Sequence, residues 1–137
     1  MLSIGKMARL TGVKIPTIRY YEEIGTLAEA ERSAGNQRRY DASALERLKF
    51  IRHARDLGFS LDDIRSLIDL HNRPGDPCSE ATEIAERQLV AVRERIAQLL
   101  KLEAELSRIA TACDGASADN CKVLHALADP KNGDARR

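Results

Sequence analysis

Apolar positions recur at helical spacing along most of the chain, and the breaks between them fall at glycines and prolines. Ser3 to Leu10 carries Ile4, Met7, Ala8 and Leu10 as its apolar positions, with Ser3 placed to cap it, and Thr11-Gly12-Val13 ends it. A second segment runs from about Lys14 to Ile24, with Pro16 tolerated in its first turn and Gly25 closing it. Two short helices joined by a tight Gly-containing turn are the signature of a helix-turn-helix, whose second helix enters the major groove of DNA.

From Ala28 to Tyr40 the helical period is lost, and Ser33-Ala34-Gly35-Asn36 supplies turn chemistry between two short segments, which predicts a β-hairpin wing. Helical spacing returns from Ala42 to Leu57 with Leu45, Leu48, Phe50 and Ile51, and Gly58 ends it. Ser60 is then the expected N-cap of a fourth helix, with Asp63 as box partner and Leu61, Ile64, Leu67, Ile68 and Leu70 as its apolar positions. The segment His71 to Pro77 is the clearest break, because two prolines and a glycine do not continue a helix.

Ser79 to Ala112 contains no Gly and no Pro, which permits one helix about 50 Å long at 1.5 Å per residue. Ala85, Val92, Leu99 and Leu106 share one heptad phase, and Leu89 and Ile96 the interleaved one. Glu103 interrupts the interleaved line, yet a stripe this long needs a second helix to cover it. A polar loop from Asp114 to Asn120, a short helix from Cys121 to Leu127 and a flexible tail from Pro130 complete the expected chain.

Composition narrows the class. The chain has 137 residues, no Trp, two Phe and three Tyr, so its apolar content is mostly Ala, Leu, Ile and Val, which favours helices. Net charge is +1, but the halves differ: up to Arg73 there are 13 Lys and Arg against 10 Asp and Glu, and beyond it 9 against 11. Arg32, Arg38, Arg39, Arg47, Lys49, Arg52 and Arg55 concentrate the excess, which suits phosphate contacts, although a solvated helix face would produce part of it. No apolar run reaches the roughly 18 residues of a membrane span and no signal-peptide core opens the chain, so a cytoplasmic protein without membrane attachment is expected. Cys-x-x-Cys, a Gly-rich phosphate loop and a Ser/His/Asp constellation are all missing, so an enzyme is not expected.

Three cysteines, an odd count, point to free thiols or metal ligands. Cys78 and Cys113 bracket the long helix on one heptad phase, so a straight helix holds them about 50 Å apart within a chain. If two such helices pair antiparallel, Cys78 of one chain meets Cys113 and Cys121 of the other, giving two equivalent sites related by the dimer two-fold. Thiolates are soft donors that suit Zn(II), Cd(II), Pb(II), Hg(II) or Cu(I) and argue against Mg or Ca. Asp114, Asp119, His125 or water could complete a tetrahedron. Taken singly, each cysteine could also be a small buried hydrophobe.

Over nearly its whole length the sequence resembles the MerR family of metal- and stress-responsive regulators. The match is carried by Ile4-Gly5-Lys6-Met7-Ala8, by Thr17 to Gly25 (TIRYYEEIG), by Arg38-Arg39-Tyr40, by Leu48 to Arg52 (LKFIR), by Leu57 to Leu61 (LGFSL) and by Cys78, Cys113 and Cys121. The resemblance implies a homodimer on palindromic promoter DNA with an overlong spacer, which distorts the DNA when metal binds at the dimer ends and realigns the promoter for RNA polymerase. It also implies DNA contacts from Lys14, Thr17, Arg19 and Tyr20 in the recognition helix and from Arg32, Asn36, Arg38 and Tyr40 in the wing, with one of Tyr20 and Tyr21 facing the core. Two departures from the family pattern lie at Gln37, where an aromatic is usual, and at Leu27 to Glu31, where the usual proline is missing.

The expectation is therefore a mainly α protein: a winged helix-turn-helix DNA-binding domain over 1–73, a linker and dimerisation helix forming an antiparallel coiled coil over 74–112, a metal-binding loop and short helix over 113–128, and a tail over 129–137. Cys78 resembles the thiolate of the divalent-ion branch, so zinc leads and cadmium, lead and mercury follow. A Cu(I) or Ag(I) sensor using Cys113 and Cys121 alone is the alternative within the family. A regulator responding to an organic ligand or to redox state is the alternative from another class.

Overall fold

The computed structural model describes residues 1–112 and 121–128. In chain order it contains α1 (Ile4–Thr11), α2 (Ile15–Glu23), β1 (Glu31–Arg32), β2 (Arg38–Arg39), α3 (Ala42–Asp56), α4 (Leu61–His71), α5 (Ser79–Ala112) and α6 (Lys122–Ala128). The mainly α architecture with an N-terminal winged helix-turn-helix and one long helix is as the pattern predicts. The chain divides into two compact units, Met1–Gln88 (the head) and Leu89–Arg137, so the first turns of α5 group with the head.

Local chemistry sets the element ends. Ser3 accepts from the Lys6 amide at 3.1 Å, Asp41 from that of Ala44 at 2.9 Å, and Ser60 from that of Asp63 at 3.1 Å, each satisfying an N–H that the helix itself leaves open. Gly12 closes α1 in the left-handed region at φ +77, donating to Ala8 O at 2.8 Å. A Cβ there would also meet the Arg52 guanidinium at 2.7 Å, so this turn needs glycine twice over. That guanidinium donates to Thr11 O at 3.0 Å, joining α3 to the end of α1.

Met7, Ile18, Leu27, Tyr40, Leu48, Ile51 and Ile64 form the fully buried centre of the head, drawn from the four helices α1 to α4 and from the segments on either side of the wing strands. The wing is an antiparallel hairpin with Glu31 opposite Arg39 and Arg32 opposite Arg38. Asn36 takes φ +62 at its tip, a conformation Asn tolerates, and Leu2 and Tyr40 exchange two backbone bonds of 2.7 and 2.8 Å that tie the base of the wing to the N-terminus. Leu61, Leu67 and Leu70 of α4, read as apolar positions, are only partly buried, while Ile64 and Ile68 carry its core contact.

At the start of α5, Ile84 is buried, Gln88 donates to Leu57 O at 2.9 Å and Arg87 pairs with Asp63 at 3.3 Å. Gly58 has φ +91, and the Gln88 amide occupies the space where a side chain would stand. In the second unit Leu89, Val90, Ile96, Leu99, Leu100, Leu102 and Leu106 are all exposed. Ile109 is buried there and, with Ala112 of α5 and His125 and Ala126 of α6, lines a cavity of about 280 Å³. No helix among the described residues is long and apolar enough to cross a membrane.

Candidate nucleic-acid interface and metal centre

The recognition helix α2 starts without a side-chain cap at Lys14, and Pro16 in its first turn removes an amide that would find no partner there. Ile18 and Tyr21 point into the core, which leaves Lys14, Arg19 and Tyr20 exposed and Thr17 half-buried on the opposite side. The tyrosine pair thus divides by helical phase: Tyr20 is 48% exposed and Tyr21 only 7%.

Between α2 and the wing lies a cavity of about 470 Å³ lined by Arg19, Glu22, Glu23, Glu29, Arg32 and Arg38. Arg32 is exposed and donates to Asn36 O at 3.2 Å, so its guanidinium braces the hairpin tip. Arg38 is half-buried, its Nε 3.4 Å from Glu22 Oε1. Tyr40 departs from the expected wing contacts. It is 1% exposed, its hydroxyl donates to Glu22 Oε1 at 2.9 Å, and its amide and carbonyl are used by Leu2, so it supports the wing from beneath. Burial first, then the hydrogen bond and charge of Glu22, push its phenol well above the usual range and keep it protonated.

The basic cluster read from the sequence also divides. Arg52 is held by Asp56 and Thr11 O, Arg55 donates to Phe59 O, Arg47 to Asn72, and Lys49 pairs with Glu46. Most of the α3 cations therefore bind helix ends and neighbouring turns of the head.

The two described cysteines, Cys78 and Cys121, sit at helix starts. Cys78 is exposed immediately before α5, and its carbonyl accepts from Thr82 N at 3.1 Å, the first bond of that helix. Cys121 is half-buried immediately before α6, its carbonyl accepting from His125 N at 3.1 Å. Cys113, with Asp114 and Asp119, lies outside the described residues. Among the described residues no three His, Cys, Asp or Glu side chains gather into a group able to hold a metal ion.

The matched families decide what this arrangement belongs to. Residues 2–70 match the MerR HTH family regulatory protein family, and residues 45–109 match the family described as MerR, DNA binding. The chain belongs to the MerR family. The HTH-type transcriptional regulator ZntR of Escherichia coli is 40% identical over 136 residues, covering 97% of this chain and 96% of that protein. The mercuric resistance operon regulatory protein of Pseudomonas fluorescens is 39% identical over 127 residues, with 92% of this chain and 87% of that protein covered. Among solved structures, the transcription regulator PbrR691 from Ralstonia metallidurans CH34, in complex with lead(II), is 36% identical with a TM-score of 0.77, over 93% of this chain and 99% of that one.

Within this MerR-type head the sequence reading missed Glu22. An acidic residue beside a basic recognition surface reads as solvated, and nothing in its neighbours along the chain reveals the two donors and the guanidinium that converge on it. Its packing against residues 8, 16 and 18 positions away is a tertiary fact.

Proposed function

We propose that the chain is a metal-responsive transcriptional regulator that binds promoter DNA as a homodimer and takes up a soft divalent ion through Cys78, Cys113 and Cys121. The exposure of Cys78 immediately before α5 carries the reading: an accessible thiol stands at the start of the long helix. Similarity to a mercuric resistance operon regulatory protein and to a transcription regulator in complex with lead(II) supports a soft ion. Zinc is the first candidate, with cadmium, lead and mercury next, since all accept thiolate ligands. The donor chemistry fits such an ion.

The exposed leucines and Ile96 of α5 support pairing with a second copy, and pairing antiparallel brings Cys78 of one protomer to Cys113 and Cys121 of the other. Lys14, Thr17, Arg19 and Tyr20 address the major groove, with Arg32 and Asn36 at the wing tip, while Arg38 and Tyr40 hold the wing in place. Ile84, Arg87 and Gln88 fasten the start of α5 to the head, so a displacement at Cys78 reaches the DNA-binding elements within about 15 Å of helix. Filling the site biases a two-state equilibrium of the heads, and DNA distortion reads it out to RNA polymerase. The reading requires no catalysis and places the protein with its DNA in the cytoplasm.

The test is zinc affinity of the reduced protein and of Cys78→Ser by chelator competition at fixed pH. Weakening by orders of magnitude makes Cys78 a ligand; weak and equal binding by both sinks the three-thiolate site. Mixed dimers of Cys78→Ser and Cys113→Ser chains then test assembly across protomers, which predicts one intact site per dimer.

A further inference from the structure

A carboxylate between a recognition helix and a DNA-binding wing is electrostatically out of place, because phosphates approach from the same side. Glu22 nevertheless occupies that position with its side chain only 6% exposed. Three groups from three points along the wing segment converge on it: Ala30 N donates at 2.7 Å before β1, Tyr40 Oη donates at 2.9 Å after β2, and Arg38 Nε forms an ion pair at 3.4 Å within β2. The wing needs such an anchor. Its strands are two residues each, and an isolated two-stranded hairpin is marginal at best in water.

We propose that Glu22 is a positioning residue for sequence reading: it fixes the wing against α2 so that Arg19 and Arg32, both lining the intervening cavity, address one duplex in a set register. Glu22 follows Arg19 by three residues on α2, so the face that reads DNA and the face that holds the wing are adjacent on one helix. The raised phenol of Tyr40 agrees with a hydroxyl that remains a donor to Glu22 at every working pH. Arg38, engaged by the same carboxylate, contributes orientation more than free charge.

The inference rests on the DNA-binding reading, and its sign separates it from plain electrostatics. Removing a negative charge near phosphates should tighten binding to any DNA. Loss of positioning should weaken binding to the preferred sequence while leaving non-specific binding unchanged or tighter. The experiment uses the full chain to enrich a preferred sequence from a randomised duplex pool. Fluorescence anisotropy then measures affinity for the enriched duplex and for the unselected pool over a range of salt.

Glu22→Ala should lose about tenfold or more on the enriched duplex, and Glu22→Gln, which keeps an acceptor for Ala30 N, about threefold. Tyr40→Phe, which keeps the ring in the core, should also lose about threefold. Equal or tighter binding of the enriched duplex by Glu22→Ala overturns the proposal. If that variant does not fold, undiminished discrimination by Tyr40→Phe overturns it instead. A wild-type chain that enriches no sequence overturns the DNA-binding reading itself, a distinguishable failure.

Discussion

The head and the helix beyond it follow opposite rules for apolar side chains. In the head Leu48, Ile51 and Ile64 are removed from water by residues of the same chain, and among the described residues no buried side-chain nitrogen or oxygen lacks a partner. From Leu89 onward Ile96, Leu99 and Leu106 remain exposed at heptad-related positions of a long helix. Both segments are amphipathic, so the pattern alone does not separate them. The difference lies in contact order along the chain: the head folds its helices back within tens of residues, whereas α5 beyond Leu89 runs uninterrupted and leaves most of its large apolar side chains exposed. The head is therefore a self-contained unit, and the exposed stripe of the second unit is what the proposed homodimer would cover.

Four substitutions and one titration sharpen that contrast, from the largest effect to the smallest. Leu48→Ala should destabilise the head by about 3 kcal/mol, because it opens a cavity in a fully buried centre, and urea unfolding at fixed protein concentration measures it. Leu99→Ala, at a side chain 57% exposed in one chain, should raise the dimer dissociation constant about 30-fold by sedimentation equilibrium, since two protomers each lose a seam residue. An unchanged dissociation constant would mean that this stripe is not the seam.

Gly58→Ala should cost about 1 to 2 kcal/mol, from the left-handed backbone and from displacement of the Gln88 amide, and should also weaken the response of DNA affinity to zinc. A loss of stability with an intact zinc response would remove Gln88 from the route between metal and head.

The fourth effect is a pH dependence. Tyr40 keeps its proton in the folded head while the unfolded chain releases it near the usual phenol value, about 10. The folded state then binds more protons than the unfolded, so this contribution is complete below about pH 10 and is lost as pH rises above it. Unfolding midpoints at increasing alkaline pH should fall more steeply for wild type than for Tyr40→Phe; equal slopes would show that the phenol is not held. Smallest is Ser60→Ala, about 1 kcal/mol in thermal unfolding from the lost cap of α4.

Elements governed by local chemistry were legible residue by residue. Ser3 and Ser60 announce the starts of α1 and α4, and the run without Gly or Pro from Ser79 to Ala112 forms one helix, α5. The wing was legible as turn chemistry. The site was legible only in part. That one of Tyr20 and Tyr21 faces inward follows from helical phase, but which one depends on where α1 and α3 pack. The basic residues of α3 looked like one phosphate-binding face, and it is their partners, Thr11 O, Phe59 O and Asn72, that show most of them to be clamps within the head.

Composition and spacing by themselves determined the helical class, the helix-turn-helix, the wing, the long helix and the three thiols, because each depends on neighbours within a few residues or on residue chemistry alone. Tertiary structure decided that Tyr40 is buried beneath the wing, that its hydroxyl and the Ala30 amide both meet Glu22, and that the first turns of α5 belong with the head. Each of those outcomes depends on atoms brought together from distant parts of the chain, such as Gln88 and Leu57, and a one-dimensional pattern carries no record of which surfaces will meet.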